Sequence, residues 1–128
     1  MAHGGESHGY VLSLKDRRPH FALRLESETT EVAGEKSVGE GWVHVAAVIG
    51  RDRTLKVYVD GSPAGELAGT GFVAANPQEG LQIGTDTGTP VGRYDAPVPF
   101  VGLIEFVRIW AGERTAEQIA DDANKCAL

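Results

Sequence analysis

The chain has little of what surface chemistry is usually built from. Its 128 residues hold one cysteine, Cys126, which excludes an internal disulfide and speaks against a cysteine-based metal site. A free thiol near the C-terminus fits a reducing compartment, although an isolated domain of a secreted protein would carry the same. Lys and Arg number 12 against 18 Asp and Glu, a net charge of −6. Without a surplus of cations no phosphate backbone is gripped, so nucleic acid is not an expected partner. No apolar run approaches the roughly 18 residues of a membrane span, and no membrane role is expected. The opening residues, MAHGGESHGY, lack a basic region followed by an apolar stretch, so no signal peptide is expected in them. Residues 1–9 read as a disordered tail before a single domain over 10–128. There is no Gly-x-Ser-x-Gly elbow, no phosphate-cradling Gly-x-x-x-x-Gly-Lys loop and no zinc helix motif.

Glycine is plentiful instead. Seventeen glycines and six prolines fall in turn-like clusters, and 41% of the residues are hydrophobic, the composition of many short strands joined by tight turns. The segment YVLSLK (10–15) reads as a strand, followed by a turn at DRRP. In HFALRLE (20–26) Phe21, Leu23 and Leu25 share one face and His20, Ala22, Arg24 and Glu26 the other. Residues 29–33 form a weaker strand. Trp42 to Ile49 is apolar on both faces and predicts a strand buried on both sides. TLKVYVDG (54–61) alternates, with Leu55, Val57 and Val59 inward. Asp60-Gly61 is a strong hairpin turn, from which SPAGEL returns. A short strand is expected at 81–84 and a last long one at FVGLIEFVRIW (100–110), where a β-bulge near Ile104 and Glu105 would spare Glu105 from burial. One C-terminal helix of two or three turns follows, packed on a sheet edge. Thr115 and Gln118 form its capping box and Ile119 is its clearest apolar position.

The ordered set GWVHVAAVIGRDRTLKVYVDG, GLQIGTD, FVGLIEFVRIW and ERTAEQIA resembles the laminin-G-like, concanavalin-A-like jelly roll over roughly the last two-thirds of the chain. The stretches GYVLSLKDRRPHFALR and GTDTGTPVGRYDAPVPFVGLIEFVRI look more narrowly like the accessory module at the C-terminus of bacterial sulfatases. Arg93 stands where that pattern carries an acidic or polar residue, and Glu105 where it usually has Asp. The resemblance implies an all-β antiparallel sandwich lacking N-terminal strands. The open sheet edge this leaves is a template for self-association, so a homodimer or an edge-covering partner, such as the catalytic domain of a parent protein, is expected. A sulfatase-type parent implies an extracytoplasmic or secreted location.

Catalysis by this chain is not expected. The sulfatase nucleophile motif is absent, and so is the Glu-x-Asp-x-x-Glu run by which jelly-roll glucanases project paired carboxylates from one strand face. A cryptic hydrolase would need two carboxylates about 5–9 Å apart in a groove. His3 and His8 fall in the tail, and His44 reads as a hydrogen-bonded core histidine. The loop GTDTGTPVGRYDAP is the candidate site. Asp86 and Asp95, with carbonyls between them, offer oxygens to a calcium ion, or else they cap turns. Tyr94 offers a flat ring to a sugar, with Arg93 and Asp95 as polar neighbours and Arg93 suited to a sulfate or carboxylate on an acidic glycan. Otherwise Tyr94 packs the loop on the sheet. The expected role is a non-catalytic accessory module that binds carbohydrate, with a purely structural module as the alternative.

Overall fold

The computed structural model describes residues 1–125, so Cys126 lies outside the described residues. Ten strands and one helix follow in order: β1 (Ala2–His3), β2 (Gly9–Lys15), β3 (Arg18–Leu25), β4 (Glu28–Ala33), β5 (Val45–Ile49), β6 (Thr54–Val59), β7 (Ser62–Ala68), β8 (Leu81–Gln82), β9 (Thr85–Asp86), β10 (Val98–Pro99) and α1 (Ala116–Lys125). They form a five-stranded sheet in the order β4-β3-β2-β1-β8, a three-stranded sheet β5-β6-β7 and a β9–β10 ribbon. All the pairings are antiparallel. The expected all-β sandwich with one C-terminal helix is what the chain forms.

Three hairpins are closed by two-residue turns. Asp16-Arg17, Glu26-Ser27 and Asp60-Gly61 all have positive φ, the geometry that matches the twist of the flanking strands. Only the third carries the glycine that advertises such a turn. Gly61 needs its freedom twice over, for its φ of +80° and because a Cβ there would sit 2.9 Å from Ala120 Cα. Arg17 is held in place by donating to the Val38 and Gly39 carbonyls.

The core lies between the two larger sheets. Phe21, Leu23 and Val32 of one sheet meet Leu55 and Val57 of the other, with Tyr10, Leu12 and Leu25 around them. The period-two alternation in β3 and β6 dictates this. Each fully buried aliphatic side chain contributes about 1.5–3 kcal/mol. On the far side of the three-stranded sheet Ile119 of α1 packs on Val48 and Tyr58, so the helix covers a face rather than an edge. The capping box is present: Gln118 N donates to Thr115 Oγ1 at 3.2 Å and Thr115 N to Gln118 Oε1 at 3.0 Å.

Three expectations need correction. Residues 1–9 are not a free tail. β1 is inserted between β2 and β8, Ala2 is buried, and its apolar contacts with Val11 and Val91 explain why. The strand expected from Trp42 begins only at Val45, and Trp42 is 61% exposed, because Gly41 takes a positive φ just before it. The long strand over 100–110 joins no ladder, so it carries no bulge. The one bulge-like register shift of the three-stranded sheet is between Val57 and Tyr58, opposite β7.

Candidate functional site

The outer face of the five-stranded sheet carries Val11 and Ala22, and the loop of residues 85–97 lies on it. Val91, wholly buried, packs on Ala2, Val11 and Ala22, with Tyr94 beside them. Polar groups pin the loop at intervals. Arg24 donates to the Pro90 carbonyl at 2.7 Å and to the Gly5 carbonyl at 3.1 Å. Both Glu79 oxygens accept from Thr89 N, at 2.9 and 3.0 Å. Glu31 accepts from Arg93 N at 3.0 Å with one oxygen and lies 2.9 Å from His20 Nδ1 with the other. Gln82 exchanges two hydrogen bonds with Thr87.

At the centre is Asp86, only 4% exposed. Its Oδ1 accepts from Gly88 N at 3.0 Å and its Oδ2 from the Tyr94 hydroxyl at 2.5 Å. Burial, and then the hydrogen bond and charge of Asp86, push the Tyr94 hydroxyl well above the ordinary tyrosine value. A phenolate beside a buried carboxylate would place two negative charges together.

Of the four expected site residues, the structure brings Asp86 and Tyr94 into contact and leaves Arg93 and Asp95 exposed on either side. Asp86 therefore does what the alternative reading described: it closes a turn and anchors the loop. Calcium takes six to eight oxygens, and both Asp86 oxygens are already committed to the loop. Among the described residues no group of three or more His, Cys, Asp or Glu is placed to hold a metal ion. As arranged, these residues do not fit a calcium cage. Sequence reasoning missed Arg24, Glu31 and Glu79. The first had a signal, since alternation already placed it on the same face as Ala22. The other two act across 62 and 10 residues of chain, which local pattern does not reveal.

His44 is half-buried. Its backbone brackets Asp60, with Asp60 N donating to His44 O at 2.8 Å and His44 N to Asp60 Oδ1 at 2.9 Å. Its ring Nδ1 is buried and without a partner among the described residues, so the hydrogen bond expected of a core histidine is not made at that nitrogen. One surface hollow, of about 410 Å³, is lined by His3, Tyr10, Asn76 and Ala111. Another, of about 290 Å³, has Glu35, Lys56 and Glu66 on its walls. Both of these carboxylates are exposed, whereas a glycosidase acid sits in apolar surroundings.

The fold defines the class: an antiparallel β-sandwich domain with a loop bound across one outer face. The chain belongs to the family described as the concanavalin A-like lectin/glucanases superfamily, whose laminin-G-type model matches residues 1–120. That match includes the N-terminal residues found here in the sheet. A crystal structure of an S-layer domain-containing protein (residues 221–444) from Clostridium thermocellum is similar, with a TM-score of 0.56 and 21% identity. The likeness, which at that identity concerns the fold alone, covers 93% of this chain and 58% of the other. The chain thus spans a little over half the length of that solved relative. No curated protein matches the chain. Among the described residues no helix is long and apolar enough to cross a membrane.

Proposed function

We propose that the chain is a non-catalytic accessory module that binds acidic carbohydrate through the loop of residues 85–97, in the manner of the tail domain of a bacterial sulfatase. The carrying observation is the presentation of Arg93 and Asp95. Both are exposed on a loop whose intervening Tyr94 is fastened to buried Asp86. A guanidinium on a fixed backbone is pre-organised for the oxygens of a sulfate or carboxylate. The membership in a lectin/glucanase superfamily supports a sugar as the ligand. A sulfatase-type parent enzyme and an extracytoplasmic location belong to the same proposal.

The test is calorimetric titration with sulfated, uronic-acid and neutral oligosaccharides, with calcium added and then with EDTA. Binding of the charged sugars that Arg93→Ala abolishes, with the thermal midpoint unchanged, is expected. Absence of binding to every class, or binding indifferent to Arg93, would sink it. Binding only with calcium would show that the loop rearranges to ligate a metal. A structural role, packing on a catalytic domain or on another copy, is favoured by a separate observation, the exposed apolar segment over 100–110.

A further inference from the structure

The loop of residues 85–97 leaves part of the outer face of the five-stranded sheet open. It rests on Val11 and Ala22 and reaches Glu31, the residue opposite Ala22 on β4, through Arg93 N. Beyond that point, alternation along β2 and β3 puts Ser13, Lys15, Arg18 and His20 on the same outer face, in the register Ser13↔His20 and Lys15↔Arg18. Lys15 and Arg18 are exposed at the hairpin end. Like charges set directly opposite are unfavourable, and in a chain of net charge −6 an anion is not far to seek. Yet none of the three ion pairs among the described residues uses Lys15, Arg18 or Arg93. Arg18 donates to the Glu35 carbonyl at 2.8 Å, a neutral acceptor, while Glu35 lines a hollow with Lys56 of the other sheet. Glu31 is committed to His20 Nδ1 and Arg93 N. Asp16 and Asp95, close in sequence to the two ends of this row, form no ion pair with it among the described residues.

We infer that this open part of the face is a second anchor for the acidic glycan: one acidic group meets Arg93 and another meets Lys15 and Arg18, with Ser13 and His20 between them. The inference rests on the reading of Arg93 as a glycan contact. The spacing sets the size of the ligand. Arg18 lies four residues along β3 from Ala22, about 13 Å, so the occupant is an oligosaccharide whose acidic groups can stand that far apart, and not a single charged sugar. The chemistry between the anchors suits hydroxyls. A carboxylate at Nδ1 holds the ring proton there, which makes Nε2 of the neutral His20 ring an acceptor. The Ser13 hydroxyl opposite it can donate or accept. Arg18, tied to a backbone carbonyl, meets its anion with part of its side-chain freedom already lost.

The test is calorimetric titration with sulfated and uronic-acid oligosaccharides of increasing length, from a monosulfated monosaccharide upward, with linear polyphosphate for comparison and amide chemical shifts followed by NMR. Affinity should rise at least about tenfold once the ligand spans both anchors, and the amides of Ser13, Lys15, Arg18 and His20 should shift only with those longer ligands. Lys15→Ala and Arg18→Ala should each remove most of that gain. Lys15 is exposed, so Lys15→Ala leaves the fold intact even where Arg18→Ala, which loses the bond to Glu35, loosens the hairpin. Binding through Arg93 that never tightens with length, or that tightens regardless of Lys15 and Arg18, would overturn the second anchor alone. No binding of any acidic sugar would overturn it together with the reading of Arg93. Polyphosphate bound as tightly as the long glycans would overturn a sugar as the occupant.

Discussion

Replacing Tyr94 with Phe isolates one hydroxyl. The ring and its packing on Ala22 and Val91 are kept, and Asp86 Oδ2, in a carboxylate only 4% exposed, loses its donor. Hydrogen bonds to charged groups are worth roughly 1.5–3 kcal/mol, and a buried acceptor left unmatched carries the desolvation cost in full. The expected loss is about 2 kcal/mol, or about 8 °C in the midpoint of a chain this size. Asp86→Ala removes the acceptor of both Gly88 N and the Tyr94 hydroxyl and should cost more, about 3 kcal/mol. The double variant should show a coupling of about 1–2 kcal/mol. The pH dependence has a definite sign. The fold raises the Tyr94 hydroxyl above its unfolded value, near 10, so the neutral form is the one stabilised. That stability is fully present below about pH 10 and is lost as pH rises through the folded value. Urea unfolding of the unaltered protein and Tyr94→Phe from neutral to alkaline pH measures both effects. The stability gap between them should be constant to about pH 10 and then narrow. A variant within about 1 °C of the parent, with no narrowing, would refute the brace as the loop's anchor.

Leu55 is wholly buried between the sheets, so Leu55→Ala should cost about 2–5 kcal/mol by denaturant titration. A cost under about 1 kcal/mol would place the core elsewhere. Ser27 sits at a φ of 73°, which a residue with a Cβ adopts at a cost, and its backbone bond to Ser7 O needs no side chain. Ser27→Gly should therefore stabilise the protein, by about 0.5–1 kcal/mol; a loss would contradict the turn geometry. Asp122 is held below the usual carboxylate range, chiefly by the Arg114 hydrogen bond at 2.7 Å. Its contribution is present above the unfolded value near 4 and is lost as pH falls below it. Arg114→Ala should flatten this acid limb of the stability profile, and an unchanged limb would deny the pair that role.

The hairpins show what local pattern can and cannot say. β3 and β6 were legible because alternate burial is written into their residues, and the Asp60-Gly61 turn because glycine marks it. Asp16-Arg17, which falls within the turn expected at DRRP, and Glu26-Ser27 use the same turn type without glycine, so their positive-φ geometry follows only from the strand register. β1 was illegible for a different reason. Two residues carry no periodicity, and Ala2 is held by Val11 and Val91, contacts that exist only once the sheet has formed. The segment over 100–110 had a clear strand pattern, yet its pairing is not a property of its own residues. A strand apolar on both faces reports the need for covering and not its source.

The candidate loop makes the same point at the level of single side chains. Tyr94 drew attention as an aromatic ring flanked by polar residues, the composition of a sugar platform. What composition does not show is the direction each residue faces. Once Asp86 accepts the Tyr94 hydroxyl, residue 94 points inward and its two neighbours must point out, since the loop backbone around it is pinned by Glu31 and Arg24. The brace and the presentation are thus one event. Tyr94→Phe and Arg93→Ala should separate in a binding assay: the first lowers affinity only as far as it loosens the loop, while the second removes the cation itself. If both abolished glycan binding at a temperature where both variants are folded, the Tyr94 hydroxyl would be touching the sugar. The Asp86 bond would then be a resting contact that the ligand displaces.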